Sequence, residues 1–248
     1  MKEKIEVIET KILEILEKYS GIKGILLEDS FGNTIKINEK MVFPSASVIK
    51  LFILGALDKS KYNDPIILKE EDKAGGSGVL KVLNDGIPLK IRDISYLMII
   101  LSDNTATNML IDFIGMEEIN KFIKDNNFSG SVLERKMMDA KAREAGLDNY
   151  TSAEDVRGIL NILCKDPVAL DMMKNQACNN KLPLYFAREM DFAHKTGELM
   201  HIEHDVGRMF FKDGWVDIIV LTKDLIKNED GIKINSEIGK LIFDNYSK

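Results

Sequence analysis

Ser47 and Lys50 stand three residues apart, the one-turn separation that places two side chains on the same face of a helix. The residues around Lys50 (Val48, Ile49, Leu51, Phe52, Ile53 and Leu54) are apolar, so the pattern predicts a helix from Ser47 to about Leu57. A hydroxyl at the opening of that helix sits at the positive end of its dipole, where developing negative charge is stabilised. A lysine on a face with almost no polar residues is desolvated, and desolvation favours the neutral amine. A neutral amine within reach of a hydroxyl can act as general base, which makes Ser47 a candidate nucleophile. Two plainer roles compete: an N-cap for Ser47, and for Lys50 a stem that snorkels to solvent. The second string with this spacing, Ser20-Gly21-Ile22-Lys23, has no apolar helix after it and reads as a helix end.

Two further strings carry groups suited to the same chemistry. Ser102-Asp103-Asn104 offers a hydroxyl, a carboxylate and an amide, although all three types also favour helix starts. Lys195-Thr196-Gly197 offers a cation, a hydroxyl and a residue without a side chain; alone, it also fits an exposed strand edge with an ordinary lysine. The three histidines, His194, His201 and His204, do not suggest a metal, since the three-residue spacing of the last two puts them on opposite faces of a strand. Cys164 and Cys178 fall in a stretch that reads as helical, lack a C-x-x-C pattern, and are expected as reduced thiols.

The elements that must position these groups follow from periodicity. Residues 5–19 carry a helical stripe of Ile5, Ile8, Ile12, Ile15, Leu16 and Tyr19, ended by Gly21. Residues 22–28 and 34–38 read as strands joined by the turn residues Asp29-Ser30-Phe31-Gly32-Asn33. Residues 92–164 read as largely helical. After Lys181 the texture changes to strands at 202–211 and 215–222, linked by an Asp213-Gly214 turn, with a closing helix over 232–245. The simplest packing is an α+β fold, an α/β sandwich whose antiparallel sheet is built from both chain ends and flanked by helices, plus an all-α domain. The expected boundaries are 1–45 with 185–248 for the sheet domain and 46–184 for the helical one, with the site at their junction.

Composition narrows the partners. The 248 residues are 45% hydrophobic and 30% charged, which excludes a disordered chain. A net charge of −6 gives no basic footprint for nucleic acid. No apolar run approaches the roughly 18 residues that span a bilayer, so neither partner is expected. The first residues alternate charges and lack the apolar core of a signal peptide. As written, the chain is expected in the cytoplasm; a chain trimmed of a leader would be extracellular. No cofactor is expected, and the oligomeric state is not legible.

The order and flanks of the three strings carry a resemblance. Phe43-Pro44-Ser45-Ala46-Ser47-Val48-Ile49-Lys50-Leu51, Leu101-Ser102-Asp103-Asn104-Thr105-Ala106-Thr107-Asn108 and Ala193-His194-Lys195-Thr196-Gly197 resemble the three motifs of class A β-lactamases and penicillin-binding serine hydrolases. The similarity runs from about Ile12 to about Ile242. The resemblance implies a small-molecule substrate, a β-lactam or peptide-like amide, that acylates Ser47 with Lys50 as base. It implies that Ser102 relays a proton to the leaving nitrogen, that Asn104 holds the substrate's amide side chain, and that Asp103 points inward and fixes the turn. Lys195 would face a substrate carboxylate, with Thr196 donating to it and Gly197 letting the strand backbone approach. The N–H groups of Ser47 and Glu198 would form an oxyanion hole. Arg208 would be a second carboxylate contact or, more simply, an exposed strand residue. Gly75-Gly76-Ser77-Gly78 reads as a surface loop bordering the cleft.

The chain departs from the family at one functional position. Members place a water-activating glutamate two residues after an arginine; anchored on Arg135, that position here is Met137, and a thioether cannot take a proton from water. Glu134 and Asp139 are the nearest carboxylates. The expectation is therefore acylation followed by weak or slow turnover. The alternatives are a cytoplasmic peptidase, esterase or glutaminase-like amidase of the same fold, or a non-catalytic penicillin-binding sensor.

Overall fold

The computed structural model describes residues 2–187 and 189–247. In chain order the elements are α1 (Lys2–Glu17), β1 (Ile22–Asp29), β2 (Thr34–Ile37), β3 (Phe43–Pro44), α2 (Ile49–Ala56), β4 (Pro65–Ile67) and β5 (Pro88–Lys90). Next come α3 (Ile91–Ile100), α4 (Asn104–Ile114), α5 (Met116–Asp125), α6 (Ala140–Glu144), β6 (Tyr150–Thr151), α7 (Ala153–Leu163) and α8 (Pro167–Lys174). The chain closes with β7 (Phe192–Leu199), β8 (Ile202–Phe211), β9 (Gly214–Lys223) and α9 (Asn228–Tyr246).

Both chain ends build one antiparallel sheet in the order β2-β1-β9-β8-β7, as the sequence led us to expect. The β1–β2 connection closes because Asp29 Oδ1 accepts from the Phe31 and Asn33 N–H groups at 3.0 and 2.9 Å, an Asx-type turn. Strand alternation then divides the apolar residues between two cores. Ile25, Leu27, Ile218 and Val220 face α1 and α9, packing on Ile8, Ile12, Ile234 and Ile238. Leu26, Ile219, Leu221 and Val206 face the opposite side, packing into the core of α2, α4 and α7. With both faces covered, β8 and β9 are buried along nearly their whole length.

Helix α2 is the hub of the second core. Ile49 through Leu54 are all buried, which is why its pattern shows no polar face. The stretch read as largely helical is interrupted: between α5 and α7 the chain is loop, broken only by α6 and the two-residue β6 that pairs with β3. Polar and turn residues dominate that stretch, so no helical stripe holds it. Cys178 lies past the end of α8 in an exposed loop rather than on a helix, while Cys164 is the half-buried C-cap of α7. Burial pushes the Cys164 thiol up to about 11, so it stays protonated. Among the described residues, no helix is long and apolar enough to cross a membrane.

Candidate active site

The nucleophile candidate does not cap a helix. Ser47 sits in a 3-10 turn, Ala46–Val48, that runs into α2, and no side chain caps either start. Ala46 before it has φ 45°, a left-handed conformation that costs a non-glycine residue about 1–3 kcal/mol. The residues that lead into the turn are held by two hydrogen bonds. The Ser45 N–H donates to Asn149 O at 2.7 Å, and His204 Nε2–H donates to Pro44 O at 2.8 Å. His204 Nδ1 accepts from the Thr222 N–H at 3.1 Å, which fixes its neutral tautomer. Burial lowers its pKa from 6.5 to about 4, so the clamp persists at neutral pH. His201, by contrast, lies in the turn between β7 and β8 and contacts Leu225 O at 2.7 Å.

Lys50 is fully buried, and the snorkelling alternative is closed. Its Nζ lies 2.6 Å from Ser102 O, 2.9 Å from Asn104 Oδ1 and 3.1 Å from Ser102 Oγ. The Asn104 amide is oriented by Nδ2 donating to Gly75 O at 3.0 Å. Two of the three partners of Lys50 can therefore only accept, and the third is a hydroxyl. A neutral amine fits this set: two N–H groups to the two carbonyl-type oxygens, and a lone pair toward the Ser102 hydroxyl. Burial first, then repulsion from Lys195, holds the Lys50 pKa well below that of an ordinary lysine.

Ser102 has φ 54°, again left-handed. It is placed there by Asp103, whose side chain points inward as expected. Asp103 Oδ1 caps α4 through the Ala106 N–H at 2.9 Å, and Oδ2 accepts from the Val79 and Leu80 N–H groups at 2.6 and 2.9 Å. Gly78 (φ 106°) passes so close that a Cβ would lie 2.2 Å from Asp103 Cγ. The Gly75–Gly78 loop is thereby stitched to the start of α4, and Gly76 and Ser77 line the cleft.

Lys195 completes the group from β7. Its Nζ donates to Ser102 Oγ at 3.0 Å and to Thr196 O at 2.8 Å, and burial lowers its pKa from 10.5 to about 7. It is wholly buried. Its Nζ lies against Ser102 Oγ and is not presented on an open surface. Gly197 has a packing reason beyond substrate approach: a Cβ there would meet Ala46 Cβ and Val48 Cγ2 at 3.2 Å. Its absence lets β7 lie against the turn that carries Ser47.

The cleft, about 300 Å³, is lined by Ser47, Asn104 and Glu198 of the expected residues, together with Met137, Asp139, Arg143 and Asn149. Ser102, Lys195 and Thr196 are buried. Ser47 Oγ makes no hydrogen bond among the described residues. Asn108 anchors the Met137 backbone through Nδ2 to O at 3.1 Å and Oδ1 from N at 2.8 Å, while Arg135 pairs with Asp148 at 2.7 Å. Asn108 stands one turn after Asn104 on α4, a same-face spacing through which the sequence could have singled it out. Of the two carboxylates weighed as replacements for a glutamate at Met137, Asp139 lines the cleft. Glu134 does not; it accepts from the Asp148 N–H at 3.3 Å.

Arg208 is not an exposed residue, and it does not line the cleft. It is buried in a two-point ion pair with Asp217 (Nε to Oδ1 2.6 Å, Nη2 to Oδ2 2.8 Å) and stacks on Trp215 at 3.7 Å. Its position on β8 opposite Asp217 on β9 sets this cross-strand pair. Among the described residues no group of three or more His, Cys, Asp or Glu is arranged to hold a metal.

The fold is that of class A β-lactamases. The structure superposes on a class A β-lactamase from Bacteroides cellulosilyticus with a TM-score of 0.85, covering 96% of each chain at 21% identity. A β-lactamase structure from Sphaerobacter thermophilus matches with a TM-score of 0.86 over 95% of each chain at 28% identity. β-Lactamase BRO-1 of Moraxella catarrhalis is 28% identical over 213 residues, 77% of this chain and 67% of the relative. The β-lactamase enzyme family matches residues 7–246, and the chain belongs to that family.

Proposed function

We propose that this protein is a serine hydrolase of the β-lactamase type, acylated at Ser47 by β-lactams or related amides and freed from the acyl group slowly. The observation that carries the proposal is the buried Lys50–Ser102–Lys195 group behind Ser47, with contacts that fit a neutral Lys50 amine. In this reading Lys50 takes the Ser47 proton as Oγ attacks the amide carbonyl. Catalytic hydrogen bonds are often long before substrate binds, so a free Ser47 hydroxyl is compatible with that role. The N–H groups of Ser47 and Glu198 receive the oxyanion. Ser102 delivers a proton to the leaving nitrogen and is recharged from the lysines at its Oγ. Asn104 has one Nδ2 hydrogen left after Gly75 O for the carbonyl of the substrate's acyl amide, and Thr196 donates to the substrate carboxylate. The site then lies at the seam between a sheet domain of residues 1–45 and 185–248 and a helical domain of residues 46–184.

Slow release rests on Met137. Its backbone is fixed by Asn108 at the cleft, yet its side chain offers no proton acceptor for water. The same feature favours a second reading, a penicillin sensor that works by remaining acylated. Intact-mass measurement after exposure to benzylpenicillin tests the proposal. One penicillin adduct should form in the wild type and in Ser20→Ala, and none in Ser47→Ala. An adduct that survives in Ser47→Ala would overturn the nucleophile assignment. Turnover of a chromogenic cephalosporin separates the enzyme from the sensor.

A further inference from the structure

The charged groups that line the cleft do not all have partners. Arg135 and Asp148 neutralise each other at 2.7 Å. Asp139 is turned into its own helix, where Oδ1 accepts from the Ala142 N–H at 3.0 Å. Two groups remain, Arg143 on α6 and Glu198 on β7. Both are exposed to the cleft, and neither forms an ion pair among the described residues. They come from different walls and carry opposite charge. Ser47 and Asn104 open onto the same cleft, so a substrate whose acyl group reaches Asn104 extends its side chain into the region these two charges border. Met137 and Met138 line the same region and supply apolar surface but no charge.

Resting on the acylation reading above, we infer that the cleft selects substrates whose acyl side chain carries both a carboxylate and an ammonium, the first facing Arg143 and the second facing Glu198. A neutral side chain leaves both protein charges to solvent. A singly charged one satisfies one of them and meets the other as a like charge. A zwitterionic side chain, such as a free α-amino-acid terminus, complements both. Because both groups are solvent-exposed, each pairing is worth the modest amount typical of surface ion pairs, about two- to five-fold in affinity.

Four penicillins that share one nucleus and differ in side-chain charge provide the test: benzylpenicillin (neutral), ampicillin (cationic), carbenicillin (anionic) and penicillin N (zwitterionic). Their dissociation constants are measured calorimetrically on Ser47→Ala protein, where binding does not depend on acylation. Penicillin N should bind tightest. Arg143→Gln on that background should weaken carbenicillin and penicillin N relative to benzylpenicillin by about two- to five-fold, and Glu198→Gln should do the same for ampicillin and penicillin N. Raising the salt concentration should erode the preference. Equal affinities for the four ligands, or ratios unchanged by Arg143→Gln, would overturn the inference. Failure of the wild type to form any adduct would instead overturn acylation at Ser47 and leave the binding ratios to decide this point.

Discussion

Lys50 and Lys195 hold the same atom from two sides: their Nζ groups lie 3.1 and 3.0 Å from Ser102 Oγ. Burial pushes both lysines toward the neutral form, and at Lys50 repulsion from Lys195 adds to it. A hydroxyl between two amines of lowered basicity is placed to pass a proton either way. This arrangement, more than any single residue, makes the site a candidate for acyl transfer.

Removing the candidate base should slow acylation more than it disturbs the fold. Lys50→Met keeps much of the side-chain volume and should reduce the acylation rate by about 10²–10⁴. It should also cost about 1–3 kcal/mol of stability, because Ser102 O and Asn104 Oδ1 lose a donor. Mass-resolved adduct formation and urea unfolding measure the two effects separately. A variant acylated at the wild-type rate would assign the base elsewhere.

Lys195 should give stability a pH dependence of defined sign. Its pKa is about 7 when folded against 10.5 as an ordinary lysine. Between those values the unfolded chain holds a proton that the folded protein has released. Stability should therefore rise with pH across that window, and the full penalty should apply below about 7. Urea midpoints of the wild type between pH 7 and 10 should climb relative to those of Lys195→Met, in which this contribution is absent. Parallel curves would show that Lys195 does not titrate there.

Met137→Glu tests whether a missing acceptor limits release. Asn108 fixes the backbone at this position through both its N–H and its carbonyl, so the new carboxylate starts from a defined place in the cleft. A recovered general base is worth about 10²–10⁴ in rate. The slow steady state after an acylation burst should accelerate by up to that factor. If wild-type protein already turns over without accumulating an adduct, Asp139→Asn is the next variant to measure.

His204→Phe should loosen the nucleophile segment. The ring shape is retained, but Pro44 O and the Thr222 N–H lose their partners. Each unsatisfied buried group costs about 1–3 kcal/mol. Hydrogen exchange at the Thr222 amide should speed up, and chemical denaturation should report the loss. Unchanged protection would show that the clamp contributes little.

Arg208→Met is the control for carboxylate recognition. Removing one member of a buried pair costs about 3–5 kcal/mol, here by leaving Asp217 unpaired. Acylation by substrates with and without a carboxylate should keep the same ratio as in the wild type. A selective loss for carboxylate substrates would bring Arg208 back into the site.

The sequence by itself determined the local features. The apolar helix that carries Lys50, the cap of α4 at Asp103, the paired strands at both ends and the helical stripes are all set by neighbours within a few residues, where periodicity and side-chain type act directly. Met137 was singled out only by the resemblance to the family, whose members carry a glutamate two residues after an arginine. Only the tertiary structure decided how these pieces meet. Lys50 is buried because other helices close around α2, and Ser102 stands between two lysines because β7 packs against the Ser47 turn at Gly197. Arg208 was misread because its partner, Asp217, lies across the sheet, and a strand pattern does not reveal which charges will face each other. The clamp of His204 on Pro44 and the hold of Asn108 on Met137 escaped for the same reason. Both join residues distant in the chain, and such hydrogen bonds exist only once hydrophobic burial has brought their elements together.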